Sequence, residues 1–189
     1  MKILFLGSKD NPLIKYLEGV ENNVISTEEI IDPSFLDRYN PDFIVSYGYR
    51  HIIKKDVIEY CNGKIVNLHI SYLPWNKGAD PNFWSLIENT PRGVTIHYLD
   101  AGVDTGDIIA QQEVEFSKND TLATSYDKLQ TAIQNLFKDN WEAIKSGTCN
   151  RIKQTEEGTL HKVKDKEPLM HLLTNGWNTS ISVLEEYNI

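Results

Sequence analysis

The chain has 189 residues, 40% of them hydrophobic, which supports one cored domain with a short appendage, and no apolar run approaches the roughly 20 residues of a membrane span. Its formal net charge of −8 argues against a nucleic-acid partner, because phosphate neutralisation calls for a basic face. The basic-looking stretch Lys153 to Lys166 is diluted by Glu156, Glu157 and Asp165, the run from Met1 to Gly7 reads as a strand in a cytoplasmic protein rather than a signal peptide, and Cys61 and Cys149 belong to no CxxC pair and read as idle thiols.

The first half alternates between strand and helix patterns. Ile3 to Leu6 is a continuous apolar run closed by Gly7, and Leu13, Ile14 and Leu17 have helical spacing. Asn23 to Ser26 reads as a second strand, and Asp32-Pro33-Ser34 as a helix start. Asp42 to Ser46 is a third strand, Lys54 to Cys61 a helix, and Lys64 to His69 a fourth strand after the turn Asn62-Gly63. Short apolar strands separated by helices predict an α/β fold, a Rossmann-like open, mostly parallel sheet with helices on both faces. Ligands in such sheets gather beyond the carboxyl ends of the strands, which points to the segments after Leu6, Ser46 and Leu68.

The second half differs. Gly93 to Leu99 and Asp107 to Val114 are strand-like runs around a glycine-rich bend. Leu122 to Ile144 reads as one amphipathic helix stopped by Gly147. The polar tail from Asn150 predicts turns and a short closing helix over Ser180 to Tyr187. The chain therefore divides into residues 1–149, carrying the site, and an extension over 150–189 packed on or beside it.

Asn67 and His69 are two residues apart on a strand, so they project from one face. Asp104 lies in the glycine-bearing loop Asp100 to Gly106. An amide, an imidazole and a carboxylate suit acyl transfer to an amine. The oxyanion needs donors, and the attacking and leaving nitrogens must exchange a proton. Taken alone, each of these residues also reads as a strand cap or an ordinary loop residue.

The run Asn67-Leu68-His69-Ile70-Ser71-Tyr72-Leu73-Pro74 resembles the Asn-x-His-x-Ser-x-Leu-Pro signature of the folate-dependent formyltransferases. Leu99 to Ile109 resembles that family's second signature, with Asp104 at the expected distance, and Pro41 to Ile53 resembles its pterin-side loop. The resemblance implies N10-formyltetrahydrofolate as co-substrate and no metal. It implies that Asn67 donates to the formyl oxygen, that His69 donates or relays a proton, and that Asp104 holds His69 or a water. It further implies that His51, Ile52 and Ile53, with Asp100, Gly102 and Val103, line the folate pocket.

The family's members divide by acceptor. The stretch Tyr72 to Ser85 is similar to the branch that acts on nucleotide-linked amino sugars, with Lys77 as a flexible cation for a phosphate and Gly78 permitting close approach. Ser8 and Lys9, after the first strand, are placed to touch sugar or phosphate. The methionyl-tRNA branch carries a C-terminal domain for which the residues after Asn150 are too few. The glycinamide ribonucleotide branch has a richer Gly/Ser loop than Gly7 to Pro12. A formyl-folate hydrolase and a non-catalytic folate- or nucleotide-binding module are the remaining alternatives. A homodimer through the tail follows only by analogy. His97 reads as structural, and His161 and His171 have no partner visible in the sequence.

Overall fold

The computed structural model describes residues 1–187. Its centre is a six-stranded sheet in the order β2-β1-β3-β4-β6-β7. Strands β1 (Lys2–Leu6), β2 (Asn23–Thr27), β3 (Phe43–Ser46) and β4 (Ile65–His69) run parallel, whereas β6 (Gly93–Tyr98) pairs antiparallel with β4 and with β7 (Ile108–Glu113).

The period-two alternation of β1 and β3 divides their side chains between two cores. Ile3, Phe5, Phe43 and Val45 meet Leu13 and Leu17 of α1 (Pro12–Val20) and Leu129, Phe137 and Trp141 of α5 (Leu122–Ser146). Leu4, Leu6 and Ile44 meet Leu36 of α2 (Pro33–Tyr39) and Val57 of α3 (Lys55–Cys61) on the opposite face.

The helices begin where local chemistry allows. Asn11 and Asp32 accept hydrogen bonds from the backbone N–H groups of Leu13 and Phe35, each ahead of a proline in the first turn. A capping box between Thr121 and Thr124 starts α5. Its buried stripe of Leu122, Leu129, Ile133, Phe137, Trp141 and Ile144 keeps one face on the sheet.

The tail is built into the fold. Strand β8 (Leu160–His161) pairs in parallel with the short β5 (Lys77–Gly78), and Ile152 bridges to Ile108 at the start of β7. Val163–Leu172 forms a 3-10 helix, where the sequence led us to expect turns. Pro168 inside it removes a backbone donor, and the segment carries no continuous apolar stripe to wind an α-helix against the core. The closing helix α6 (Ile181–Glu185) buries Ile181 and Leu184 against Phe83 and Leu86 of α4 (Pro81–Ile87). Among the described residues no helix is long and apolar enough to cross a membrane, and no group of three or more His, Cys, Asp or Glu is arranged to hold a metal.

Candidate active site

Strand β4 lies near the middle of the sheet and delivers Asn67 and His69 at its carboxyl end. Asp104 reaches them from the loop between β6 and β7. Asn67 Nδ2 donates to Asp104 Oδ1 at 3.2 Å, and His69 Nδ1 stands 3.7 Å from Asp104 Oδ2. The Gly78 backbone N–H donates to the same Oδ2 at 2.8 Å. That close approach depends on glycine: Gly78 has φ +82°, and a Cβ there would lie 2.4 Å from the His161 carbonyl.

A fourth polar side chain joins this group. His97 is paired across the sheet with Asn67, its Nε2 3.3 Å from Asn67 Nδ2 and 3.4 Å from Asp104 Oδ1. The ring hydrogen positions follow from partners that can only accept. His97 Nδ1–H donates to the Tyr98 carbonyl at 2.8 Å, and its Nε2 faces both Asn67 Nδ2 and Asp104 Oδ1. His69 Nε2–H donates to the Asn76 carbonyl at 3.1 Å, which turns Nδ1 toward Asp104.

Asn76 is fully buried, and its side chain donates to Glu88 at 3.0 Å and accepts from Thr90 at 2.8 Å, so the carbonyl that orients His69 is itself fixed. Burial alone would raise the pKa of Asp104. The facing His69, then His97 and the Gly78 N–H outweigh it and hold the carboxyl well below the usual carboxylate range. Asp104 is therefore ionised at neutral pH. Its loop is shaped by Asp100, which accepts from the Gly102 N–H at 3.0 Å and the Thr105 hydroxyl at 2.6 Å.

The other sequence-selected residues fall into three places. His51, Ile52 and Ile53 follow β3. Ile52 is 85% exposed, Ile53 packs at the edge of the α2–α3 core, and His51 Nε2 lies 3.1 Å from the Glu28 carbonyl. Asp100 to Val103 follow β6, whose last residue Tyr98 is in register with Val66 of β4, and the neighbouring Leu99 packs on the same core as Ile53. Ser8 and Lys9 follow β1 and are exposed. Lys77 differs from the free cation read in the sequence. It is buried, and its ammonium donates to the Glu157 carbonyl at 2.7 Å, because the tail has folded over it.

Sequence reading missed His97, Asn76, Gln154 and His161 as parts of this neighbourhood. An antiparallel pairing of β4 with β6 would have placed His97 opposite Asn67. The other three become visible only through contacts of the tail or of the β4–α4 loop. His161 stacks on Trp84, with ring centroids 3.9 Å apart, and its Nε2 lies 3.0 Å from Glu88.

A model of the formyl transferase family matches residues 9–140. This chain belongs to the formyl transferase family. A solved structure of the formyltransferase PseJ from Anoxybacillus kamchatkensis, in complex with UDP-4,6-dideoxy-4-formamido-L-AltNAc and tetrahydrofolate, is 47% identical to it, with a TM-score of 0.95 over 100% of both chains. WlaRD, a sugar 3N-formyl transferase solved with dTDP and 5-N-formyl-THF, is 25% identical, with a TM-score of 0.71 over 87% of this chain and 70% of its own. Methionyl-tRNA formyltransferase of Clostridioides difficile (strain 630) is 30% identical over 177 residues, which are 90% of this chain and 56% of that protein. This formyl transferase chain spans about half the length of the curated relatives it matches.

Proposed function

We propose that the protein transfers the formyl group of N10-formyltetrahydrofolate to the primary amine of a nucleotide-linked amino sugar, specifically a UDP-linked 4-amino-4,6-dideoxy sugar. The observation that carries this reading is the meeting of Asn67, His69 and an ionised Asp104 at one end of the sheet. The likeness to PseJ over the whole of both chains supports the choice of acceptor. The net charge of −8 favours a small acceptor over a tRNA. A folate-dependent reaction of this kind suits a cytoplasmic enzyme.

In this reading the folate ring lies between the 51–53 and 100–103 loops, with its formyl group over the end of β4. The neutral amine attacks the formyl carbon, and the carbonyl pair moves onto oxygen. One Asn67 N–H is held by Asp104, and the other donates to the oxyanion as it forms. His69 Nδ1, steadied by the Asp104 carboxylate, takes the proton that the amine loses and returns it to N10 of the folate. The oxyanion then collapses, the C–N10 bond breaks, and the products are a formamide and tetrahydrofolate.

The test is tetrahydrofolate release from N10-formyltetrahydrofolate, with the purified protein and a panel of acceptors. Release that depends on a UDP-linked 4-amino sugar supports the reading. Release with initiator methionyl-tRNA or glycinamide ribonucleotide instead reassigns the acceptor, and release with water alone marks a hydrolase.

A further inference from the structure

His69 can take the proton of the attacking amine at Nδ1 only if that nitrogen carries no hydrogen of its own. Its surroundings pull both ways. The Asp104 carboxylate, 3.7 Å from Nδ1, attracts the single proton of the neutral ring to that nitrogen. The opposing contact is the Asn76 carbonyl, 3.1 Å from Nε2, which can only accept and so keeps the proton on the other side of the ring. The placing of that one carbonyl therefore decides whether Nδ1 is free to act as a base.

Asn76 does not sit there by its own preference. Its φ of +55° is left-handed, a conformation that a residue other than glycine keeps only when its neighbours impose it. It is fully buried, so each of its polar atoms needs a partner within the protein. The backbone N–H donates to the Thr159 hydroxyl at 2.9 Å, the side-chain carbonyl accepts from the Thr90 hydroxyl at 2.8 Å, and the side-chain amide donates to Glu88 Oε2 at 3.0 Å. Glu88 is the charged member of this set, and bonds to a charged acceptor are the stronger kind.

Glu88 stands at the C-terminal end of α4, where a carboxylate meets the negative end of the helix. Helix stability thus gives no reason for an acid at this position. The tail holds the carboxylate in place. His161 Nε2 lies 3.0 Å from its second oxygen, Oε1, and the His161 ring is stacked on Trp84, one turn before Glu88, with planes at 7°.

We infer that Glu88 is a positioning residue for formyl transfer: through the Asn76 side-chain amide it fixes the carbonyl that keeps the His69 ring proton on Nε2 and leaves Nδ1 open to the amine. The inference rests on the reading of His69 as the group that takes the amine's proton.

The experiment compares the wild type, Glu88→Ala and Glu88→Gln by steady-state kinetics and by nitrogen NMR of the histidine rings in isotopically labelled protein, in mildly alkaline solution where the rings are neutral. The His69 signals are those missing from His69→Gln. In the wild type His69 should carry hydrogen on Nε2 and none on Nδ1. Glu88→Ala should move that hydrogen to Nδ1 in much of the population and lower kcat by about tenfold or more, with both KM values little changed. A tenfold change corresponds to about 1.4 kcal/mol, within reach of one lost hydrogen bond to a charged group. Glu88→Gln keeps an oxygen for Asn76 and can turn its amide to His161 Nε2, so it should restore the Nε2 hydrogen and most of kcat. A merely structural role would lower the denaturation midpoint of Glu88→Ala and leave the His69 ring hydrogen where it was. An unmoved ring hydrogen or a wild-type kcat in Glu88→Ala overturns the inference, as does a Glu88→Gln enzyme as slow as Glu88→Ala. If the wild type formylates no acceptor and the ring hydrogen still moves in Glu88→Ala, the positioning stands and the reading of the reaction fails. If the wild type transfers formyl and the ring hydrogen does not move, the reverse holds.

Discussion

Gln154 donates its side-chain amide to the backbone carbonyls of Asp104 and Gly106, each at 2.9 Å. Asp104 has φ +52°, a left-handed conformation that a non-glycine residue keeps only when its surroundings impose it. The tail therefore clamps the loop that presents the carboxylate. Gln154→Leu removes both bonds, at about 1 kcal/mol each, so turnover should fall by about tenfold or more while the acceptor KM holds steady. Gln154→Glu should not restore the rate, because a carboxylate cannot donate. Steady-state kinetics on the two variants decide the point, and a wild-type kcat in Gln154→Leu would remove the clamp from the mechanism.

Substitution at the centre should act on kcat. Asn67→Ala, His69→Ala and Asp104→Ala are each expected to lower turnover by about two orders of magnitude or more, the usual loss for an oxyanion donor or a proton-transfer group. Asp104→Asn should be nearly as poor, since it keeps the shape and loses the charge that faces His69 Nδ1. Circular dichroism should report folded variants throughout. A correctly folded His69→Ala enzyme working near the wild-type rate would refute the assignment.

The depressed pKa of Asp104 predicts a pH dependence of stability with a definite sign. A carboxyl whose folded pKa lies below its unfolded value of about 3.9 contributes its full stabilisation above that value, and loses it as pH falls toward the folded pKa. Urea midpoints measured from pH 6 downward should therefore drop more steeply below about pH 4 in the wild type than in Asp104→Asn. Parallel curves would show that the carboxylate is not held in its charged form by the fold.

Far from the site, Glu21 is a second buried carboxylate. It accepts from the Trp141 indole N–H at 2.9 Å, from Lys145 at 3.1 Å and from the chain's amino terminus at 2.8 Å. Burial opposes its charge, but these three donors outweigh that and lower its pKa. Glu21→Leu strands the buried indole N–H and takes a partner from the amino terminus, whereas Lys145 keeps Glu142 at 2.8 Å, and it should cost about 1–3 kcal/mol in chemical denaturation, with kcat of the folded enzyme unchanged.

Much of the frame was legible because its signals are local. The apolar runs of β1 and β3, the Asp32-Pro33 helix start and the stripe of α5 each carry their own periodicity or cap. Asn67 and His69 were legible from strand alternation, and Asp104 from the signature around it. The rest depends on contacts between distant residues. A two-residue strand such as β5 has no period to read, and its partner β8 lies more than eighty residues further on. His97 looked structural because its position opposite Asn67 needs the antiparallel register of β4 and β6. Lys77 looked like a free cation because nothing near it in sequence shows that the Glu157 carbonyl will cover it.

The pairing of β5 with β8 also sets an order of assembly. Strands β1 to β4 and their helices close over short chain separations, and can collapse as soon as they leave the ribosome. The corner that holds Gly78 against Asp104 must wait for Gln154 and His161 to arrive and close long loops, the slow kind of contact in folding. In that order the core forms first, and the corner around Asp104 is completed only when Gln154 and His161 have docked.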